Sequence, residues 1–268
     1  KKKVKKDKGN RKEKSGNNKE KVKMEVLDND GNVIRTVNHN VEPGLNRIYW
    51  SLRQKGVRSP NMPKPTKPDA REPGGPPVLP GDYTVRLTNG KESVSQTVSV
   101  LTDPRVGINK RNLERLQPIY QRQMEITTSV TMAMDQIREA KATIQSINKM
   151  LNPKGNKSHK ELISRGKAIS DSLKLLEELI VNKKGLQGIV RSPNILSSKV
   201  GAIGRYLYSN LSGPNDSHKY LLDYAEVETE KVLNQVNMFF KKDWDEYQSE
   251  VEDADLSFFK SYKPIKIN

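Results

Sequence analysis

From Val22 the chain alternates. Val22, Met24 and Val26 are apolar and Lys23 and Glu25 are charged, the period of a strand with one buried face. Asp28-Asn29-Asp30-Gly31-Asn32 breaks the pattern before a second short strand, Val33 to Val37. The pair predicts a hairpin, with Gly31 supplying a positive φ. Leu45 to Leu52 predicts another strand, with Ile48, Trp50 and Leu52 on one face and Trp50 in the core. Residues 58 to 80 hold eight prolines, so an extended loop is expected there, with no central strand. After the Pro80-Gly81 turn, Asp82 to Thr88 and Ser93 to Leu101 predict a second hairpin around Asn89-Gly90.

At Asp103-Pro104 the period changes. Ile119, Ile126, Val130, Ala133, Ile137, Ala140, Ile144, Ile147 and Leu151 recur at helical spacing, which predicts one long helix from Asn109 to Leu151. Pro118 is expected to kink it or delay its start. Leu162, Ile169, Leu173, Leu176 and Ile180 mark a second helix from Ser158 to Asn182. Val200, Ile203, Leu207 and Leu211 mark a short one. Leu222, Ala225, Val232, Val236, Phe239, Phe240, Tyr247 and Val251 mark a last long helix, capped by Asp216 or Ser217. The fold class is therefore multidomain, all-β plus all-α. A small Ig-like β-sandwich is followed by an antiparallel helical bundle of three long helices and one short helix. The expected division is residues 1–106 for the sandwich, 107–262 for the bundle and 263–268 for a C-terminal tail. The sandwich includes the lysine-rich start and the proline-rich insert 54–80.

Composition narrows the chemistry. The chain has 268 residues, 33% of them hydrophobic, and no cysteine. Disulfides, thiolate metal sites and cysteine nucleophiles are excluded. No run of residues is long and apolar enough for a membrane span. The chain opens on Lys1 without methionine or an apolar signal region, and reads as a piece of a longer protein. Residues 1 to 23 carry twelve Lys and Arg against three acidic residues, +9 of the total +16. The positive charge thus sits in a Lys/Asn/Gly segment of loop composition rather than on a patterned face.

No motif carries catalysis. Asp28, Asp30 and Asn32 start like a calcium loop, but the glycine comes early and His39 stands where the closing glutamate belongs. His39, His159 and His218 lie apart in polar, turn-like sequence and are expected to be solvated. Glu177 and Glu178, and Glu226, Glu228 and Glu230, fall on polar helix faces near lysines. Phe239, Phe240, Trp244, Tyr247, Phe258, Phe259 and Tyr262 read as bundle core or a packing surface. We assign no catalytic, cofactor-binding or metal-binding residue, and no cofactor.

One set of segments is more specific. It comprises Glu25-Val26-Leu27-Asp28 with Gly31 and Val33-Ile34-Arg35, Gly44-Leu45-Asn46-Arg47-Ile48-Tyr49-Trp50-Ser51-Leu52-Arg53, Pro80-Gly81-Asp82-Tyr83-Thr84-Val85-Arg86-Leu87 and Thr102-Asp103-Pro104-Arg105-Val106. With Ser197 to Ile203 and the terminal Phe258-Phe259-Lys260 and Pro264 to Ile267, they resemble the C-terminal region of bacterial sortilin-type or BNR-repeat β-propeller proteins. Those proteins are often labelled glycosyl-hydrolase-like. The β part is also similar to the immunoglobulin-like module of flagellar hook-capping proteins. The resemblance implies a bacterial, extracytoplasmic module (periplasm, outer membrane or secreted) whose partner is the β-propeller of the same parent protein, with other cell-envelope proteins as further partners. The lack of an ordered basic face predicts no sequence-specific nucleic-acid binding; the resemblance places any glycan chemistry in the propeller, which is absent from this chain. It makes Lys1 to Lys6 the tail of a further strand. Tyr83 is expected to bury its ring and bond backbone at a sandwich corner. Arg47, Arg53, Arg86 and Arg105 are expected to pair with Asp82, Asp103 or Glu42 where sandwich meets bundle.

Overall fold

A computed structural model describes residues 21–151, 159–183 and 194–254. The readings made for residues 1–20 and for Phe258, Phe259 and Tyr262 lie outside them. The chain is mixed β and helix. Strands β1 (Lys21–Leu27), β2 (Val33–Asn40), β5 (Gly81–Asn89) and β6 (Glu92–Val100) form an antiparallel sheet in the order β2-β1-β5-β6. The short strands β3 (Arg53–Lys55) and β4 (Gly74–Pro77) form a separate antiparallel ribbon.

Both expected hairpins are present. The Asp28 carboxylate accepts the amides of Asp30 (3.0 Å) and Asn32 (2.8 Å), and Gly31 has φ 81°. The aspartate therefore builds a turn, a local role that competes with ion binding. In the sheet, register sets Val22, Met24 and Val26 beside Val85 and Leu87, which in turn face Gln96 and Val94. One face is thus largely apolar, with Arg35, Asn89 and Gln96 interrupting it. The other carries Lys23, Glu25, Thr84, Arg86 and the serines and threonine of β6.

Leu45–Leu52 is not a strand. Asn46 folds this segment on itself. Its amide donates to the carbonyls of Glu42 (2.8 Å) and Gly44 (3.0 Å), and its oxygen accepts from the Glu42 amide (3.1 Å). Such side-chain bonds compete with a ladder. Leu52 then turns left-handed at φ 55°, and Leu45 is 98% exposed. Trp50 is consequently half-buried rather than core. Its indole donates to the Arg53 carbonyl (3.1 Å), and its ring meets Tyr83 edge-on at 5.4 Å. The proline-rich stretch does hold a strand, β4, but in the ribbon and not in the central sheet. There Gly56 and Gly75 are required, because a Cβ on either would sit 2.4 to 2.6 Å from a carbonyl oxygen of the opposite strand.

The helices follow their stripes closely. Helix α1 runs Lys110–Leu151 with Pro118 inside it, so the proline does not delay its start; α2 is Lys160–Ile180 and α3 Leu196–Ser209. Helix α4 (Asp216–Phe239) continues through a π-helical turn (Phe240–Trp244) into α5 (Asp245–Glu252). A proline in the third turn removes one amide bond without breaking α1, since tertiary packing rather than propensity holds a buried helix. Leu116, Val130, Met134, Ile137, Leu173 and Leu207 are among the fully buried members of one continuous core. Phe239, Phe240, Trp244 and Tyr247 join it as a chain of edge-on and tilted rings, the core role expected of them.

Candidate functional site: the junction of sheet and helices

The arrangement with the most built-in geometry is the contact between the β part and α1. Thr131, Asp135 and Arg138 stand one turn apart on α1, spacing that puts them on one face. The loop after β3 lies against that face. Thr131 donates its hydroxyl to the Arg58 carbonyl (2.8 Å), and Arg138 donates to the carbonyls of Pro60 (2.6 Å) and Met62 (3.1 Å). Arg58 bonds back to the Asp135 carboxylate and to the Met62 carbonyl. Asp135 also lies 3.5 Å from Arg138. Its side chain is 11% exposed and that of Arg58 18%, so water screens this pair less than a surface pair. A proline-rich loop has few amides to satisfy, but its carbonyls need donors. Two arginines supply them.

A second contact is apolar. Leu79 and Ile108 pack against the helical core. A crevice of about 210 Å³ remains between Leu52, Pro77 and Val100 on one side and Leu113, Tyr120 and Leu211 on the other. Tyr83 ties into the same place. Its hydroxyl donates to the Leu79 carbonyl (2.7 Å), and burial with the nearby Asp28 charge pushes it above the ordinary tyrosine value. The backbone bond expected of it is made, but the ring is half-buried rather than buried. Behind the crevice Tyr120 and Tyr208 meet edge-on at 5.2 Å, and Tyr208 donates to Gln123 (2.7 Å). Burial, then the Tyr120 neighbour, pushes Tyr208 up to about 12, while Arg53 across the junction opposes the shift.

The expected arginine set is placed differently. Arg86 pairs with Glu25 across β1 and β5 (3.0 Å), Arg53 donates to the Gly75 carbonyl (3.0 Å), and Arg47 donates to the Tyr49 hydroxyl (3.3 Å). Arg105 does pair with Asp103, but locally and in the open. Asp82 accepts from Ser99 (2.5 Å). Arg53 also acts electrostatically on Tyr120 and Tyr208 of the helical part. Arg58, Asp135 and Arg138 were not legible as a site. The one hint was polar side chains recurring at helical spacing on α1.

His218, expected to be solvated, is fully buried. Asn215, not Asp216 or Ser217, caps α4. Its side chain accepts the His218 amide (3.0 Å), while its own amide donates to His218 Nδ1 (3.1 Å). The imidazole thus takes the place that glutamate holds in the usual reciprocal cap. Burial holds its pKa below the ordinary histidine value.

The acidic residues on the helices work as staples. Glu177 bonds Lys141 (2.5 Å), Glu178 pairs with Lys183 (3.0 Å), and Glu226 and Asp223 bond Arg122. Glu228 sits between Lys199 (2.5 Å) and Lys231 (2.7 Å), whose hydrogen bonds hold it at about 2. A carboxylate so fixed in its charged form is a poor proton donor near neutrality. Among the described residues no three His, Asp or Glu converge to hold a metal ion, and no helix is long and apolar enough to cross a membrane. Comparison with family models, curated proteins and solved structures gives no match.

Proposed function

We propose that the chain is a non-catalytic structural and interaction module that buttresses or presents a β-propeller in a bacterial extracytoplasmic protein. In this reading the sheet and ribbon are a reduced Ig-like sandwich, and the helices an antiparallel bundle of three long helices and one short one. The junction carries the proposal. The Arg58–Asp135–Arg138 clamp and the Leu79 contact hold the β part against α1, as a load-transmitting module requires. The segment resemblance supplies the identity of the partner, and the paired state of the helix carboxylates favours structure over turnover. The reading requires propeller blades encoded in frame upstream of Lys1. Co-expressed with this chain, that propeller is expected to co-purify with it. A frame without blades, or blades that do not associate, overturns it.

A second reading is favoured by the +9 segment, residues 1 to 23: a binding module for anionic polymer or membrane surface. It predicts binding to heparin or anionic vesicles at low salt that is lost on deleting residues 1–20 and at about 200 mM salt. A third places this chain in a glycan hydrolase whose active site lies in the propeller. Activity on chromogenic glycosides would then belong to the parent protein and be missing from this chain.

A further inference from the structure

The two edges of the four-stranded sheet are treated differently. At β2 the Thr36 amide donates to the Glu72 carboxylate (2.8 Å), and Asn38 reaches the Asp69 carbonyl (3.3 Å), so the loop before β4 covers that edge. At the opposite edge, β6 pairs with β5 and with no other described strand. From Glu92 to Ser99 every residue of β6 is exposed. Edge strands are normally protected from association by lysine, proline, a bulge or a cover. Ser93 to Val100 contains no charged residue and no proline, and its register with β5 is unbroken.

The strand is also complementary to itself. Turned antiparallel about Gln96, it sets Val94 against Val98 of a second copy, Ser95 against Thr97 and Ser93 against Ser99. The Asn89/Glu92 pair closes the β5–β6 turn. Counting from it, an antiparallel ladder directs the backbone of Ser93, Ser95, Thr97 and Ser99 outward. Those same residues oppose one another in the Gln96-centred register, so their amides and carbonyls meet. Val94 and Val98 then fall at the closer, non-hydrogen-bonded positions, where side-chain pairing is strongest. Val94 is 67% and Val98 40% exposed, on the apolar face of the sheet. The twenty residues before β1 hold one aliphatic side chain, Val4, and offer no comparable match. Antiparallel pairing also sends the two helical parts, each following Val100, to opposite ends.

We propose that β6 is a homodimer interface: two copies of this chain join their sheets edge to edge through β6, about a two-fold axis at Gln96. This is the isologous arrangement of a closed dimer. The test is sedimentation equilibrium of the full chain and two variants. Wild type is expected to dimerise. Thr97→Pro removes an outward amide while sparing the β5 ladder, and is expected to be monomeric with an unchanged circular dichroism spectrum. Gln96→Lys places two like charges opposite each other and is expected to be monomeric too. Mixing Gln96→Lys with Gln96→Glu restores a dimer, an outcome that misfolding of a variant cannot mimic. A wild-type monomer from micromolar to millimolar concentration overturns the proposal, whether β6 amides exchange freely or are covered by another segment. So does a dimer that survives both single variants.

Discussion

The helical part supplies the whole of a continuous apolar core running from Leu113 to Tyr247. Among the described residues the β part buries Met24, Val26, Val78 and Val100 with two prolines, Pro60 and Pro76, as apolar side chains, together with Arg35. That guanidinium donates to the carbonyls of Glu72 and Pro73. One half therefore derives stability from area removed from water, the other from ladder bonds, turns and a buried charge spent on loop carbonyls. The difference teaches that the β part depends on its neighbours. It leans on α1 through Asp135, leaves much of its apolar face uncovered, and presents an open edge.

The largest effect should come from the better-packed half. Ile137 is fully buried, and Ile137→Ala is expected to cost about 2 to 5 kcal/mol in a denaturant melt followed by helical circular dichroism. A loss below about 1 kcal/mol would mean that the helical core is loose and the contrast false. Next is the junction. Asp135→Ala strands Arg58 and Arg138 beside backbone carbonyls, and a cost of about 1 to 3 kcal/mol is expected. Its signature is separation of two transitions. Trp50 fluorescence, read in a Trp244→Phe background, should melt before the helical signal. Coincident melts would show that the clamp does not couple the parts.

Trp50→Ala probes the thin half directly. With the ring half-buried and one aromatic contact to Tyr83, about 1 to 2 kcal/mol is expected. A loss near that of Ile137→Ala would show a second core that the burial pattern does not reveal. The smallest effect is in pH. His218 is held neutral by burial, so its contribution is complete above its ordinary value of 6.5 and falls as the unfolded chain takes up a proton below it. The carboxylates with lowered pKa, Glu228 and Glu226 among them, lose their contributions only below the ordinary value of 4.5. Melting midpoints should therefore decline between pH 6.5 and 5, and His218→Asn should flatten that decline. An equal slope in the variant would assign the effect elsewhere.

Helix positions were readable because an amphipathic stripe has one solution: Val130, Ile137, Ile144, Leu173 and Leu207 can all be buried only on a helix, and they are. The two hairpins were readable for a similar reason, since Asp28 to Asn32 and Asn89-Gly90 fix their turns through adjacent atoms. Alternation over Leu45–Leu52 misled because Asn46 and Leu52 offered the backbone a local alternative that periodicity does not register. His218 looked solvated from its neighbours in sequence, yet the packing of α4 buried it. The clamp was hidden for the plainest reason. Arg58 and Asp135 are 77 residues apart, and nothing in either neighbourhood names the other. Local sequence determined which faces had to be buried and where the chain had to turn. Only the tertiary structure decided which charges would meet and which edge would stay open, because those depend on contacts between segments that carry no mark of one another.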